Sequence, residues 1–206
     1  MKPVPEYSTV RPGLFHWQGY EPAVKCDCSS TATVTAAGLV FIDPIPLADD
    51  VLKDLVAESF SAPAAVVLTS GNHQRESLAL AKRFGIPVFA PEDAGEDIIA
   101  DQRFRPGDPV AGMESIALPG FGPGETAFLH GGTLIFGDAL INLQSEGLRL
   151  LPEKYREDKK QSLRSLAALR GLKPQLLLFA HGHPIIQNAL SCLQSCLAKN
   201  SISFPI

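Results

Sequence analysis

Two stretches decide how this chain is read: Thr31–Asp43, TATVTAAGLVFID, and Thr126–Asp138, TAFLHGGTLIFGD. Each sets two β-forming runs about a glycine-bearing turn, Ala37-Gly38 in one and Gly131-Gly132 in the other, and each ends on an aspartate. Such runs read as hairpins. Each also feeds a helical pattern and then an apolar strand, Ala64 to Leu68 and Leu176 to Phe179, and both strands end in a histidine-bearing loop, VVLTSGNH and LLLFAHGH. The recurrence of hairpin, aspartate, helix, strand and histidine loop is an internal duplication. Each half has one apolar sheet face to bury, so the expected fold class is α+β, an αββα four-layer sandwich of two β-rich halves.

The rest of the chain is compatible with that frame. Its 206 residues, 45% hydrophobic and 19% charged, fit one domain over 1–206. The 17 glycines and 17 prolines fall between apolar periodic segments, so they punctuate turns and do not signal disorder. Outward from the hairpins, periodicity predicts a strand over Leu14 to Gln18, a helix through Leu47, Leu52 and Leu55, a helix over Arg75 to Phe84 and a strand over Pro87 to Ala90. A short helix near Glu92 to Ala100, a strand over Ser115 to Leu118, a long amphipathic helix from Glu153 to Arg170 and a closing helix complete the reading.

No apolar run approaches the roughly 20 residues that span a bilayer, and the first residues lack a signal-peptide pattern, so the expected address is cytoplasmic. A formal net charge of −4 without a Lys/Arg cluster gives no footprint for nucleic acid or membrane. The cysteines form two close pairs, Cys26/Cys28 and Cys192/Cys196, read as buried or free thiols. A Cys/His nucleophile pair would require Cys26 or Cys28 beside a histidine loop.

In the sandwich, Asp43 and Asp138 end equivalent strands, and the loops with His73 and with His181 and His183 follow two others, so all gather at one edge. Glu125, across the hairpin from Asp138, is expected at the rim of that site. His130 belongs on the order of 16 Å away, at the hairpin's other end, because a strand rises about 3.3 Å per residue. His16, alone in an alternating strand, is read as structural.

These residues carry a resemblance. The strand ending in Asp43-Pro44, VVLTSGNHQRES, LPGFGPGE, LIFGD and LLLFAHGHPI look like the successive motifs of the metallo-β-lactamase superfamily, over roughly residues 14 to 190. The resemblance implies a hydrolase with a two-metal site, whose ligands are a His-x-His-x-Asp-His motif, a histidine in the Gly/Pro loop, an aspartate and a late histidine. Without gaps, the motif positions hold Ser70, Asn72, Gln74 and Arg75, and the loop position holds Phe121. Asp138 and His181 match the remaining two, so the resemblance is to a divergent branch with a degenerate metal motif.

Two readings of the site follow. In one, His73, one position off register, joins Asp138 and His181 around a single divalent metal such as zinc, with Glu76 or His183 as a further donor. In the other no metal is held: His73 caps the helix start, and Arg75 pairs with Asp138 or Glu76. The first leads to a hydrolase of a small ester, thioester, amide or phosphoester, with Asp138, His73 and Asp43 as catalytic residues. The second leads to a non-catalytic protein on the same fold, binding a ligand or partner through Arg75, Glu76, Glu125 and His183, or to a metal-free acid/base enzyme using His73. The expected partner is a small molecule; a homodimer is the base-rate expectation.

Overall fold

The computed structural model describes residues 1–143 and 146–200. Seven strands, β1 (Ser8–Arg11), β2 (Leu14–Glu21), β3 (Cys26–Thr35), β4 (Gly38–Ile42), β5 (Pro63–Val67), β6 (Val88–Pro91) and β7 (Gln102–Phe104), form one sheet in sequence order. Pairing is antiparallel from β1 to β4 and parallel from β4 to β7. The second sheet combines β8 (Glu114–Ala117), β9 (Thr126–His130), β10 (Thr133–Phe136) and β13 (Leu176–Phe179) in the order β13-β10-β9-β8. A separate hairpin of β11 (Leu140–Leu143) and β12 (Gly147–Leu150) follows β10.

The two halves repeat: β3, β4 and β5 correspond to β9, β10 and β13, each an antiparallel hairpin whose second strand pairs in parallel with the third. Alternation along these strands separates three apolar layers. Leu39 and Phe41 of β4 and Val66 of β5 face α1 (Asp49–Glu58) and α2 (Ser77–Phe84), whose Leu52, Leu55, Leu80 and Ala81 meet them. Val40, Ile42, Ala65 and Val67 turn the other way and pack with Phe128, Ile135 and Leu178 of the second sheet. Leu134, Phe136, Leu177 and Phe179 face outward again, onto Leu193 and Leu197 of α4 (Ala189–Lys199). Strands buried on both faces read as continuous apolar runs for this reason. The αββα sandwich expected from the duplication is the fold found.

Two expected helices differ. Residues 92–100 form turns, because side chains take the backbone groups a helix would pair: Gln74 binds both the N–H and the C=O of Ile99, and Arg103 donates to the carbonyls of Pro91, Gly95 and Ile98. The long helix from Glu153 to Arg170 is broken into a 3-10 turn Glu153–Tyr155, α3 (Lys159–Ser165) and a 3-10 turn Leu166–Leu169. Asp158 is extended (φ −136°) and its carboxylate caps the N–H groups of Lys160 and Gln161, so the helix starts afresh there. Among the described residues no helix is long and apolar enough to cross a membrane.

Candidate functional site

Asp43 and Asp138 follow β4 and β10, and the His73 and His181 loops follow β5 and β13. The parallel pairs β4/β5 and β10/β13 therefore deliver all four residues to one edge of the sandwich. His73 gets there by a local device. Ser70 accepts from Asn72 N with its hydroxyl, and His73 N bonds Ser70 O at 3.3 Å, closing a tight 3-10 turn over Gly71–His73 that turns the imidazole inward, 3% exposed. The next residue but one, Arg75, takes a left-handed φ of 37°, which delays α2 to Ser77.

The imidazoles of His73 and His181 face Asp138 with their Nε2 atoms, at 3.4 and 3.3 Å from Oδ1, and their ring centroids stand 5.7 Å apart. Each ring is tied at its other nitrogen. His73 Nδ1 lies 2.9 Å from Asp43 Oδ2, and His181 Nδ1 lies 3.0 Å from the Asp27 carbonyl. Acceptors at Nδ1 hold a proton there, so in the neutral ring the outward Nε2 carries the lone pair, and in the charged ring it donates to Asp138. Asp43 is itself fully committed, taking Thr69 N–H on Oδ1 at 2.8 Å and the Thr69 hydroxyl on Oδ2 at 2.5 Å. The Asn72 amide donates to Asp138 Oδ2 at 2.9 Å.

Charge in this buried cluster is mutually adjusted. Burial alone would raise the carboxyl of Asp138, but His73 and His181 hold it well below the ordinary carboxylate range. Burial would likewise lower both imidazoles, yet Asp138 raises His181 well above its usual value, and Asp43 with Asp138 raises His73. Asp43 is lowered against its burial, chiefly by His73.

The other sequence candidates lie elsewhere. Arg75 pairs with neither Asp138 nor Glu76: its guanidinium donates to the carbonyls of Ser29 (2.7 Å), Asp43 (3.0 Å) and Ala180 (3.3 Å), bracing β3 to the ends of β4 and β13. The reason is the left-handed backbone at Arg75, which sends the side chain between the halves. Glu76 lines a separate cleft of about 280 Å³ with Pro44, Ile45, Ala79 and Arg83. His183 joins the loop through its backbone, bonded to Asn142 at both N and O. Glu125 lies behind Asp138 and not at the rim: it is 1% exposed, because Thr126 N bonds Thr69 O and draws the preceding residue inward. Phe121 is fully buried, with the Arg156 guanidinium 5.5 Å from its ring centroid. His130 bonds the Val34 carbonyl through Nε2, away from the cluster.

Sequence reasoning left Thr69, Asn72 and Asn142 without roles at the site and weighed Cys26 only as half of a Cys/His pair. Cys26 Sγ stands 3.6 Å from His181 Nδ1, sharing that nitrogen with the Asp27 carbonyl. No spacing signal announces it, since Cys26 and His181 are 155 residues apart.

His73, Asp138 and His181 offer donor atoms that all lie within 4.8 Å of one another, the group of this kind found among the described residues. Two imidazoles and a carboxylate fit one divalent metal with a position left open, and ring nitrogens anchored on a carboxylate and a carbonyl are the outer support such ligands use. Among the described residues, Ser70, Asn72, Gln74, Arg75 and Phe121 are engaged in caps, amide bonds, braces and core.

The fold has relatives among solved structures. No curated protein matches the sequence. Among solved structures the chain is similar to the DIM-1 metallo-β-lactamase (TM-score 0.74, 16% identity, 96% of this chain and 98% of that one). It is also similar to a metallo-β-lactamase from Pontibacter korlensis (0.72, 17%, 94% and 98%) and to ETHE1 from Myxococcus xanthus (0.59, 21%, 82% and 76%). The model of the metallo-β-lactamase superfamily matches residues 7–199. With that match over nearly its whole length, on a duplicated αββα sandwich whose strand ends gather His73, Asp138 and His181, the chain belongs to the metallo-β-lactamase superfamily.

Proposed function

We propose that the protein is a hydrolase of small ester, thioester, amide or phosphoester substrates, working with one divalent cation held by His73, Asp138 and His181. The observation that carries this is the convergence of two Nε2 atoms on Asp138 Oδ1, each ring anchored at its far nitrogen. His73, Asp138 and His181 would hold a divalent cation that, when bound, would supply Lewis acidity toward a carbonyl or phosphoryl oxygen and bring the ionisation of water toward neutral pH. Asp138 orients the two rings; Asp43, buried with both oxygens engaged, acts through His73 as a positioning residue; Thr69 couples the two. Asn72 holds Asp138 Oδ2 and so keeps Oδ1 turned to the histidines.

The binding-protein reading draws on Arg75, Glu76, Glu125 and His183, but three carbonyls already take the Arg75 guanidinium, Glu76 lines a separate cleft and Glu125 is buried. The hydrolase reading therefore has the better support. Its test is turnover by zinc-, iron- or manganese-loaded protein across ester, thioester, amide and phosphoester panels. The expected result is turnover of one class, lost at least 100-fold in both Asp138→Ala and His181→Ala. Undiminished turnover in either variant, or none in the loaded wild type, would overturn the reading.

A further inference from the structure

Glu125 is a buried acid that the proposed chemistry does not use. It is 1% exposed, at the end of the PGFGPG loop, where its backbone N–H bonds Gly122 O and its C=O accepts from Leu118 N. One side-chain oxygen, Oε1, accepts from Ala139 N at 2.8 Å; the other, Oε2, has no hydrogen-bond partner among the described residues. Ala139 directly follows Asp138, so the carboxyl grips the backbone of the turn that presents Asp138 to the histidines. The fit is close. A β-carbon on Gly137 would lie 2.9 Å from Glu125 Oε1 and would also strike the Thr69 hydroxyl, which is bonded to Asp43. The strand ends bearing Asp43, Thr69 and Asp138 are thus packed about this carboxyl without room for a methyl group.

Burying an acid costs free energy that an apolar side chain of similar volume would not, so a carboxyl retained here needs a task. The polar groups within reach belong to the site. A β-carbon on Gly122 would meet Asn72 Nδ2 at 3.2 Å, and Asp138 Oδ2 and Glu125 Oε2 each at 3.9 Å, so Glu125 backs onto the same nook as the Asp138 side chain.

We infer that Glu125 is a positioning residue of the site: by holding Ala139 N–H it sets the Asp138 turn, and so places Asp138 Oδ1 between the Nε2 atoms of His73 and His181. The inference deepens the reading of this site as a metal-dependent hydrolase, and its test separates the two. The variants are Glu125→Gln, whose amide oxygen still accepts from Ala139 N–H, and Glu125→Met, which keeps volume and loses the acceptor.

The first readout is the ¹⁵N resonances of the His73 and His181 rings in metal-free protein, which report Asp138 directly. Glu125→Met is expected to move both Nε2 signals, and Glu125→Gln to leave them in place. The second is zinc affinity by chelator competition, expected to weaken about 10-fold or more in Glu125→Met, as loss of an outer support does, and less than about 3-fold in Glu125→Gln. Should Glu125→Met not fold, Glu125→Asp, one methylene too short to reach Ala139, takes its place with the same expectation. Unmoved ring signals in the Met or Asp variant, or equal damage in Glu125→Gln, would overturn the role of Glu125. A wild type that takes no zinc would overturn the metal reading and leave the ring signals to decide Glu125.

Discussion

The His16 ring lies inside β2, 5% exposed, with Nε2 unpartnered among the described residues. Burial, with the neighbouring His183, lowers its pKa from 6.5 to about 4, against a hydrogen bond to Gly182 that favours the charged ring. The native protein therefore holds His16 neutral where the unfolded chain protonates it. This contribution is intact above pH 6.5 and is lost as pH falls from 6.5 to about 4. Removing it with His16→Phe is expected to gain, relative to wild type, on the order of 3 kcal/mol between those limits. Denaturant unfolding of both proteins at pH 7 and pH 4.5 checks this, and parallel pH profiles would contradict it. His16 was legible as structural because a lone histidine in an alternating strand has nothing nearby in sequence to work with. The role of Arg75 was not legible, because its left-handed backbone, invisible in the string HQRES, decides which carbonyls it meets.

At the scale of elements, the His181 loop shows how a site residue is held by a strand the sequence concealed. Asn142, on β11, accepts from His183 N at 3.0 Å, donates its own N–H to His181 O at 3.1 Å and its amide to His183 O at 2.7 Å. Gly182 lies between at φ 100°, where a β-carbon would run into the Asn142 carbonyl. Gly182→Ala is therefore expected to cost about 2 kcal/mol or more in denaturant unfolding and to weaken zinc binding with it. A change within 0.5 kcal/mol would show that the loop is less constrained than this geometry requires. The hairpins, β5 and β13 were readable because apolar runs bounded by Gly and Pro have few alternatives. β11 and β12 were not, since they have no counterpart in the duplicated pattern. The long helix was over-read because Glu153 to Arg170 keeps helical spacing while Asp158 interrupts the backbone.

For the whole molecule, the duplication accounts for both stability and site. Alternate residues of β4, β5, β10 and β13 fill three apolar layers, and the same parallel pairings bring Asp43, His73, Asp138 and His181 to one edge. That edge was legible because the duplicated order fixes which strand ends coincide. The inward turn of His73 and the burial of Glu125 were not, because each depends on hydrogen bonds made by residues far apart in sequence. The central claim is that His73, Asp138 and His181 form a single-metal centre. The most direct measurement is elemental analysis by mass spectrometry of untagged protein, purified without chelator from cells supplied with zinc, iron and manganese. The account predicts about one metal ion per chain, absent in folded Asp138→Ala. Less than about a tenth of an ion per chain in folded wild type, or an unchanged content in Asp138→Ala, would contradict it.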